Sequence, residues 1–242
     1  NSRYAVKQFE KNDVENDAKA WIVREQDKRT EPTAYKAYPN PAAQQVTLNI
    51  TAGAPGIGTL TLQDAESKGK ESLIDNSSFS ATSLAQATTS DHRLLYVSSV
   101  LKEDVHISGS SSIRIRAASS KPAVNLSVYL VSLPWNKDRR AKITDNIITR
   151  GWADLQNHTS LSESAPLEPN TFYEMSFNLQ PDDQIIKKGQ QIGLLIFSSD
   201  SEYTLLPKPG TTLTIDVKET KISIPIVGGE NAFKSATNKL NN

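Results

Sequence analysis

The chain contains no cysteine and a single methionine among its 242 residues. Without cysteine, a disulfide scaffold, a thiolate metal site and a cysteine nucleophile are all excluded. Net charge is absent too: 27 Lys plus Arg balance 27 Asp plus Glu. A nucleic-acid binder carries a clustered basic surplus, so neither nucleic acid nor an anionic membrane is an expected partner. No apolar run approaches the length of about 18 residues that marks a membrane-spanning helix. The start, Asn1-Ser2-Arg3-Tyr4, has neither an initiator Met nor an apolar leader region, and reads as a chain cut from something longer.

What is present is alternation. Val46, Leu48 and Ile50 fall on one face of a run whose other face is polar, and the same period of two recurs in 57–62, 112–117 and 211–217. Residues 125–133 alternate and then turn apolar. Gln191 to Ser198 is almost wholly apolar, as expected of a central strand covered on both sides. Segments 172–179 and 222–227 complete the set. Turn residues punctuate these runs, among them Gly53-Ala-Pro-Gly56, Pro181-Asp-Asp183, Lys188-Gly189 and Pro207-Lys-Pro-Gly210. Many short strands between such turns predict an all-β fold, a β-sandwich or jelly roll. Residues 1–19 read as a lead-in with weak helical spacing, 20–228 as the sandwich, and 229–242 as a polar, frayed tail. Pro32, Pro39 and Pro41 predict an irregular connection over 27–45.

Motifs for chemistry are sparse. Gly109-Ser-Ser-Ser-Ile113 lacks the second glycine of a nucleophile elbow and runs into a strand rather than a helix. Gly53 to Gly58 matches neither a dinucleotide nor a phosphate loop. His92, His106 and His158 are too far apart in sequence for a local zinc pattern, though any one could pair with a distant Asp. Asp182, Asp183 and Asp200 are the carboxylates weighed for a loop calcium site, without a dense acidic cluster to support it. No cofactor and no metal is called. Trp21, Trp135 and Trp152 are read as core or interface residues, with sugar stacking on a carbohydrate-binding module kept as the alternative.

The order of segments resembles the carboxy-terminal, non-catalytic domain of the Xaa-Pro dipeptidyl-peptidase family, which also takes in cocaine esterase and cephalosporin acylase-like enzymes. Ala20-Trp-Ile-Val-Arg24 looks like its opening strand and Ala37-Tyr-Pro-Asn-Pro41 like the proline-rich follower. Leu101-Lys-Glu-Asp-Val-His-Ile-Ser-Gly109 resembles an L-x-x-D-V-x-I-x-G strand and turn. Thr149-Arg-Gly-Trp-Ala-Asp-Leu-Gln-Asn157 is the strongest marker, and Lys187-Lys-Gly189 with Ser198-Ser-Asp200 follow in order. The likeness spans roughly residues 20–228. Some relatives carry an acidic pair where this chain has Ala123-Val-Asn125, so no carboxylate role is carried over to that position.

The resemblance implies an upstream α/β-hydrolase domain whose Ser-Asp-His triad releases X-Pro dipeptides from peptide amino termini. No triad position maps onto this chain, which is expected to be silent alone and to meet peptide substrate only through that domain. Arg150, Trp152, Asp154, Gln156 and Asn157 are the candidates for an interdomain surface at the substrate entrance. Arg150 and Asp154 are expected to form an ion pair clamped by Trp152. An exposed apolar patch is expected from Tyr35, Tyr38, Trp152 and Leu155. The compartment is left open, with a lean to an exported, periplasmic enzyme.

Overall fold

The computed structural model describes residues 20–24, 32–64, 69–136, 146–206 and 209–237. The expected helical spacing within 5–20 therefore lies outside the described residues, apart from Ala20. Among the described residues there are fifteen strands: β1 Ala20–Ile22, β2 Thr33–Tyr35, β3 Ala43–Thr51, β4 Gly58–Thr61, β5 Lys70–Ile74, β6 Leu94–Val97, β7 Val105–Gly109, β8 Ser112–Ser119, β9 Asn125–Leu133, β10 Ile147–Asp154, β11 Phe172–Asn178, β12 Asp182–Ile186, β13 Gln191–Phe197, β14 Thr212–Asp216 and β15 Lys221–Val227. The described residues also include the α-helices α1 Ala81–Gln86 and α2 Gly229–Thr237.

The architecture is an all-β sandwich. One layer runs β10–β9–β13–β6–β4, and the other holds β15, β8, β14 and β5, with β11 on β8 and β7–β12 beside β15. Strand β3 links the layers: Asn49–Thr51 pair with β4, and Ala43–Asn49 pair with β15. All pairs are antiparallel except β4 with β6, which is parallel at Gly58↔Tyr96 and Thr59↔Val97.

Alternation decides which side faces the core. Val46, Leu48 and Ile50 of β3 are buried, as are Ile222, Ile224 and Ile226 of β15, and the register sets Ile222 beside Leu48 and Ile224 beside Val46. Ile113 and Ile115 of β8 and Leu213 and Ile215 of β14 join the same core. The doubly apolar strands β9 and β13 are buried on both faces. Leu126, Val128, Leu130, Ile192, Leu194 and Ile196 enter the main core. Tyr129, Val131, Leu195 and Phe197 form a second cluster under α1, through Ala81, Leu84 and Ala85. Ser80 caps α1, its hydroxyl accepting the Ser83 N–H at 3.2 Å.

Two local expectations need correction. Residues 229–237 are not a frayed tail but α2, with Phe233 and Ala236 buried against β3 and β15. The chain enters α2 through Gly228 (φ 81°) and Gly229 (φ 62°), where a side chain would be strained; a Cβ on Gly229 would also lie 2.5 Å from the Gln44 Oε1. Asp182–Asp183 is not a turn but the start of β12, paired with Gly109 and Ser108.

Candidate functional site

Strand β10 ends the first layer, and its register sets the site. The pairing with β9 slips between Ile147 and Thr149, leaving Ile148 in the core and placing Arg150 opposite Tyr129 and Trp152 opposite Ser127. Arg150, Trp152 and Tyr129 thereby come together with the 200–203 loop that follows β13. Two residues there complete the arrangement: Tyr203, which sequence reasoning missed, and Asp200, which it had weighed only for calcium.

The chemistry is an arginine among aromatic rings above a buried carboxylate. The Arg150 guanidinium carbon lies 4.2 Å from the Tyr203 ring centre, 5.6 Å from Trp152 and 5.9 Å from Tyr129. Trp152 and Tyr203 are 4.9 Å apart, while Tyr129 meets Trp152 and Phe197 edge-on. Asp200 Oδ2 accepts both the Tyr129 hydroxyl at 2.5 Å and the Trp152 indole N–H at 2.9 Å. Burial first, and then the hydrogen bond and charge of Asp200, push the Tyr129 phenol well up, against an opposing pull from Arg150. Tyr129 therefore stays a neutral donor at every ordinary pH.

The expected Arg150–Asp154 ion pair does not form among the described residues. Asp154 instead caps a 3-10 turn, accepting the Gln156 N–H at 2.9 Å. Gln156 is half-buried and its carbonyl accepts the Ala165 N–H, while Asn157 Nδ2 donates to the Ser160 and Leu161 carbonyls. Arg150 and Trp152 are thus brought together, and Asp154, Gln156 and Asn157 shape the turn beyond them. Leu155 is 0% exposed, so it cannot belong to the expected apolar patch. The recess lined by Ser80, Thr82, Tyr129, Arg150, Asp200 and Glu202 holds about 10 Å³, the space of one water. The Trp152 N–H is held by Asp200, and the Tyr203 ring is engaged by both Trp152 and Arg150.

A second polar cluster fastens the β1–β2 ribbon to the sandwich. Arg24 Nε donates to Asp183 Oδ1 at 2.6 Å, and His106 Nε2 lies 3.0 Å from the same oxygen and 3.1 Å from the Tyr35 hydroxyl. Arg24 also donates to Thr33 at 3.1 Å and to the Tyr35 hydroxyl. Burial pushes the Asp183 carboxyl up, but hydrogen bonds from His106 and Ser108 and the charges of His106 and Arg24 hold it below the usual carboxylate range. The Tyr35 hydroxyl is raised by burial and by the Asp183 charge, with Arg24 opposing. This is the one place where a His meets an Asp side chain among the described residues, and the serine beside it, Ser108, bonds the Asp183 carboxylate rather than the imidazole. His92 Nδ1 faces the Ile74 carbonyl, and His158 Nδ1 the Leu155 carbonyl. The carboxylates weighed for calcium are engaged elsewhere: Asp183 by Arg24 and His106, Asp200 by Tyr129 and Trp152.

Fold and site together define an all-β domain whose polar clusters fix geometry, with no nucleophile–base pair among the described residues. The model of the X-Pro dipeptidyl-peptidase C-terminal non-catalytic domain matches residues 12–237, and the chain belongs to that family. A protein of Rhodopirellula baltica provisionally named an Xaa-Pro dipeptidyl-peptidase is 55% identical over 220 residues, covering 91% of this chain and 35% of the relative. A Bacillus cereus protein with the same provisional name is 31% identical over 217 residues, covering 89% of this chain and 34% of its own length. The chain thus spans about a third of these relatives. Among solved structures, an aminopeptidase from a marine sediment Thaumarchaeota archaeon shares the fold, with a TM-score of 0.67 at 14% identity over 93% of this chain and 43% of the other. A CocE/NonD family hydrolase from Staphylococcus aureus does likewise, at 0.64, 15%, 91% and 43%.

Proposed function

We propose that the chain is the accessory β-sandwich domain of an Xaa-Pro dipeptidyl-peptidase. It packs on an upstream α/β-hydrolase domain and narrows access to that domain's serine triad, so that free peptide amino termini enter and internal segments are excluded. The observation that carries this reading is the match to a non-catalytic domain family over nearly the whole chain, in relatives about three times as long. Arg150, Trp152, Asp154, Gln156 and Asn157 are the residues assigned to the interdomain surface. Arg150 and Trp152 lead, because a guanidinium held on aromatic rings is already ordered when a partner arrives.

The test is replacement of Arg150 and Trp152 by Ala in the complete enzyme. Dipeptide release from an X-Pro reporter and the thermal midpoint are then followed together. A fall in kcat/KM of about tenfold, the scale of one lost interface anchor, is expected. Unchanged activity and unchanged stability together remove the assignment.

A further inference from the structure

Five of the ten large apolar side chains that stand exposed among the described residues belong to segments meeting at one end of the sandwich: Ile74 (45%), Phe79 (39%), Tyr203 (49%), Leu205 (91%) and Leu206 (55%). A single exposed leucine needs no explanation. A contiguous group does. Phe79 stacks on His92 at 4.9 Å, and His92 is held by the Ile74 carbonyl at 2.8 Å. Phe79 immediately precedes Ser80, which lines the same recess as Arg150, Asp200 and Glu202. Tyr203 packs on Trp152, and the Leu205 carbonyl accepts from Asn125.

These side chains are not exposed because their loops are loose. Buried Asp75 takes the Ser199 N–H at 2.8 Å and the Ser199 hydroxyl at 2.9 Å, tying the segment after β5 to the segment after β13. Its own N–H reaches the Thr211 carbonyl at 2.8 Å. The Asp200 carbonyl accepts the Tyr203 and Thr204 N–H groups, closing the turn that carries the aromatic ring. Apolar groups on a framework fixed by buried carboxylates form a pre-organised surface, and little order is lost when such a surface is covered. Arg150 stands beside it with no ion-pair partner among the described residues. Tyrosine and arginine beside apolar residues is the composition of interface anchors.

We propose that the surface formed by Ile74, Phe79, Tyr203, Leu205 and Leu206 beside Arg150 is the face this domain buries against the remaining, larger portion of its own polypeptide. The partner surface is apolar and offers one hydrogen-bond acceptor to Arg150. This rests on the accessory-domain reading above and moves its centre from the 154–157 turn to the loops after β5 and β13. The occupant is chosen on length: about two thirds of each matched relative lies outside the region this chain covers. A covalently supplied partner of that size is present at high effective concentration, which a second copy is not.

Hydroxyl-radical footprinting of the complete enzyme tests it. Val100 is the internal reference, because it is 54% exposed and follows β6 at the Gln191 end of β13, opposite the Phe197 end that leads to the patch. Phe79, Tyr203, Leu205 and Leu206 are expected to be protected several-fold relative to Val100 at every enzyme concentration. In a Leu205→Asp, Leu206→Asp variant the remaining two should become reactive while Val100 does not change. Patch residues as reactive as Val100 overturn the proposal, and so does protection that appears only as enzyme concentration rises, which assigns the face to a second copy. Dipeptide release by the same sample separates the two readings. An active enzyme with an unprotected patch sinks this surface alone, whereas a protected patch in an enzyme without X-Pro activity sinks the peptidase reading and leaves the surface standing.

Discussion

Asp200 is 3% exposed and has no cationic partner among the described residues, so its carboxylate depends on three donors: the Tyr129 hydroxyl and the Trp152 indole N–H at Oδ2, and the Glu202 N–H at Oδ1. Replacing it with Leu leaves the Tyr129 hydroxyl and the Trp152 indole N–H without their acceptor, at about 1–3 kcal/mol for each buried donor and so about 2–6 kcal/mol together. Urea unfolding of Asp200→Leu should show a loss in that range, with altered near-ultraviolet circular dichroism from the displaced Trp152. Asp183 makes a different prediction, because its folded pKa lies below the ordinary carboxylate value. A lowered folded pKa means the ionised form is favoured by folding. Its contribution is complete above the unfolded value of about 4 and disappears as pH falls through the lower folded value. The stability gap between the parent and Asp183→Asn should therefore be level at neutral pH and close below pH 4 or so. A gap that stays constant into strong acid would show that Arg24 and His106 are not what holds the ribbon.

At the scale of elements, the strands that carry a strict period of two were legible in the sequence. Strands β3, β8, β14 and β15 fall where the alternation of Val, Leu and Ile puts them, and the continuous apolar run of β13 correctly signalled cover on both faces. What covers its outer face was not legible. Helix α1 has six residues and presents only Ala81, Leu84 and Ala85, too short a pattern to stand out. Strand β12 was hidden because it opens on Pro181-Asp-Asp183, where Asp183 is buried by pairing with Arg24 rather than by being apolar. The arginine–aromatic cluster was half legible for a similar reason. Arg150 and Trp152 share one strand, but Tyr129, Asp200 and Tyr203 reach them only through the fold. Helix α2 rests on two inward residues, Phe233 and Ala236, one turn apart within a polar stretch. Such a helix is held by its docking more than by its propensity. Phe233→Ala should cost about 3–5 kcal/mol, read as a lower urea midpoint with little change in slope, and amide exchange across 229–237 should quicken ahead of the sheet. If exchange there is already fast in the parent, the helix contributes no cover to β3 and β15.

At the scale of the whole molecule, the sandwich joins buried clusters that position segments to an end where large apolar side chains stand exposed. On the accessory role proposed above, the domain would alter catalysis by placing a surface, not by supplying a reacting group, and that distinction has a kinetic signature. If it narrows access, its loss should leave the triad chemistry of the catalytic portion nearly intact toward a small activated ester, which reaches the serine without guidance. Discrimination should collapse instead: the ratio of kcat/KM for a free amino-terminal X-Pro peptide to that for an amino-blocked analogue should fall by about tenfold or more, roughly 1.4 kcal/mol of selectivity. Adding this chain back in trans should restore the ratio with saturable dependence on its concentration, and a Leu205→Asp, Leu206→Asp form should restore it poorly. A selectivity ratio unchanged by removal would mean that the domain stabilises its neighbour without shaping what enters. Equal loss of ester and peptide turnover would mean that the domain is needed to assemble the triad itself.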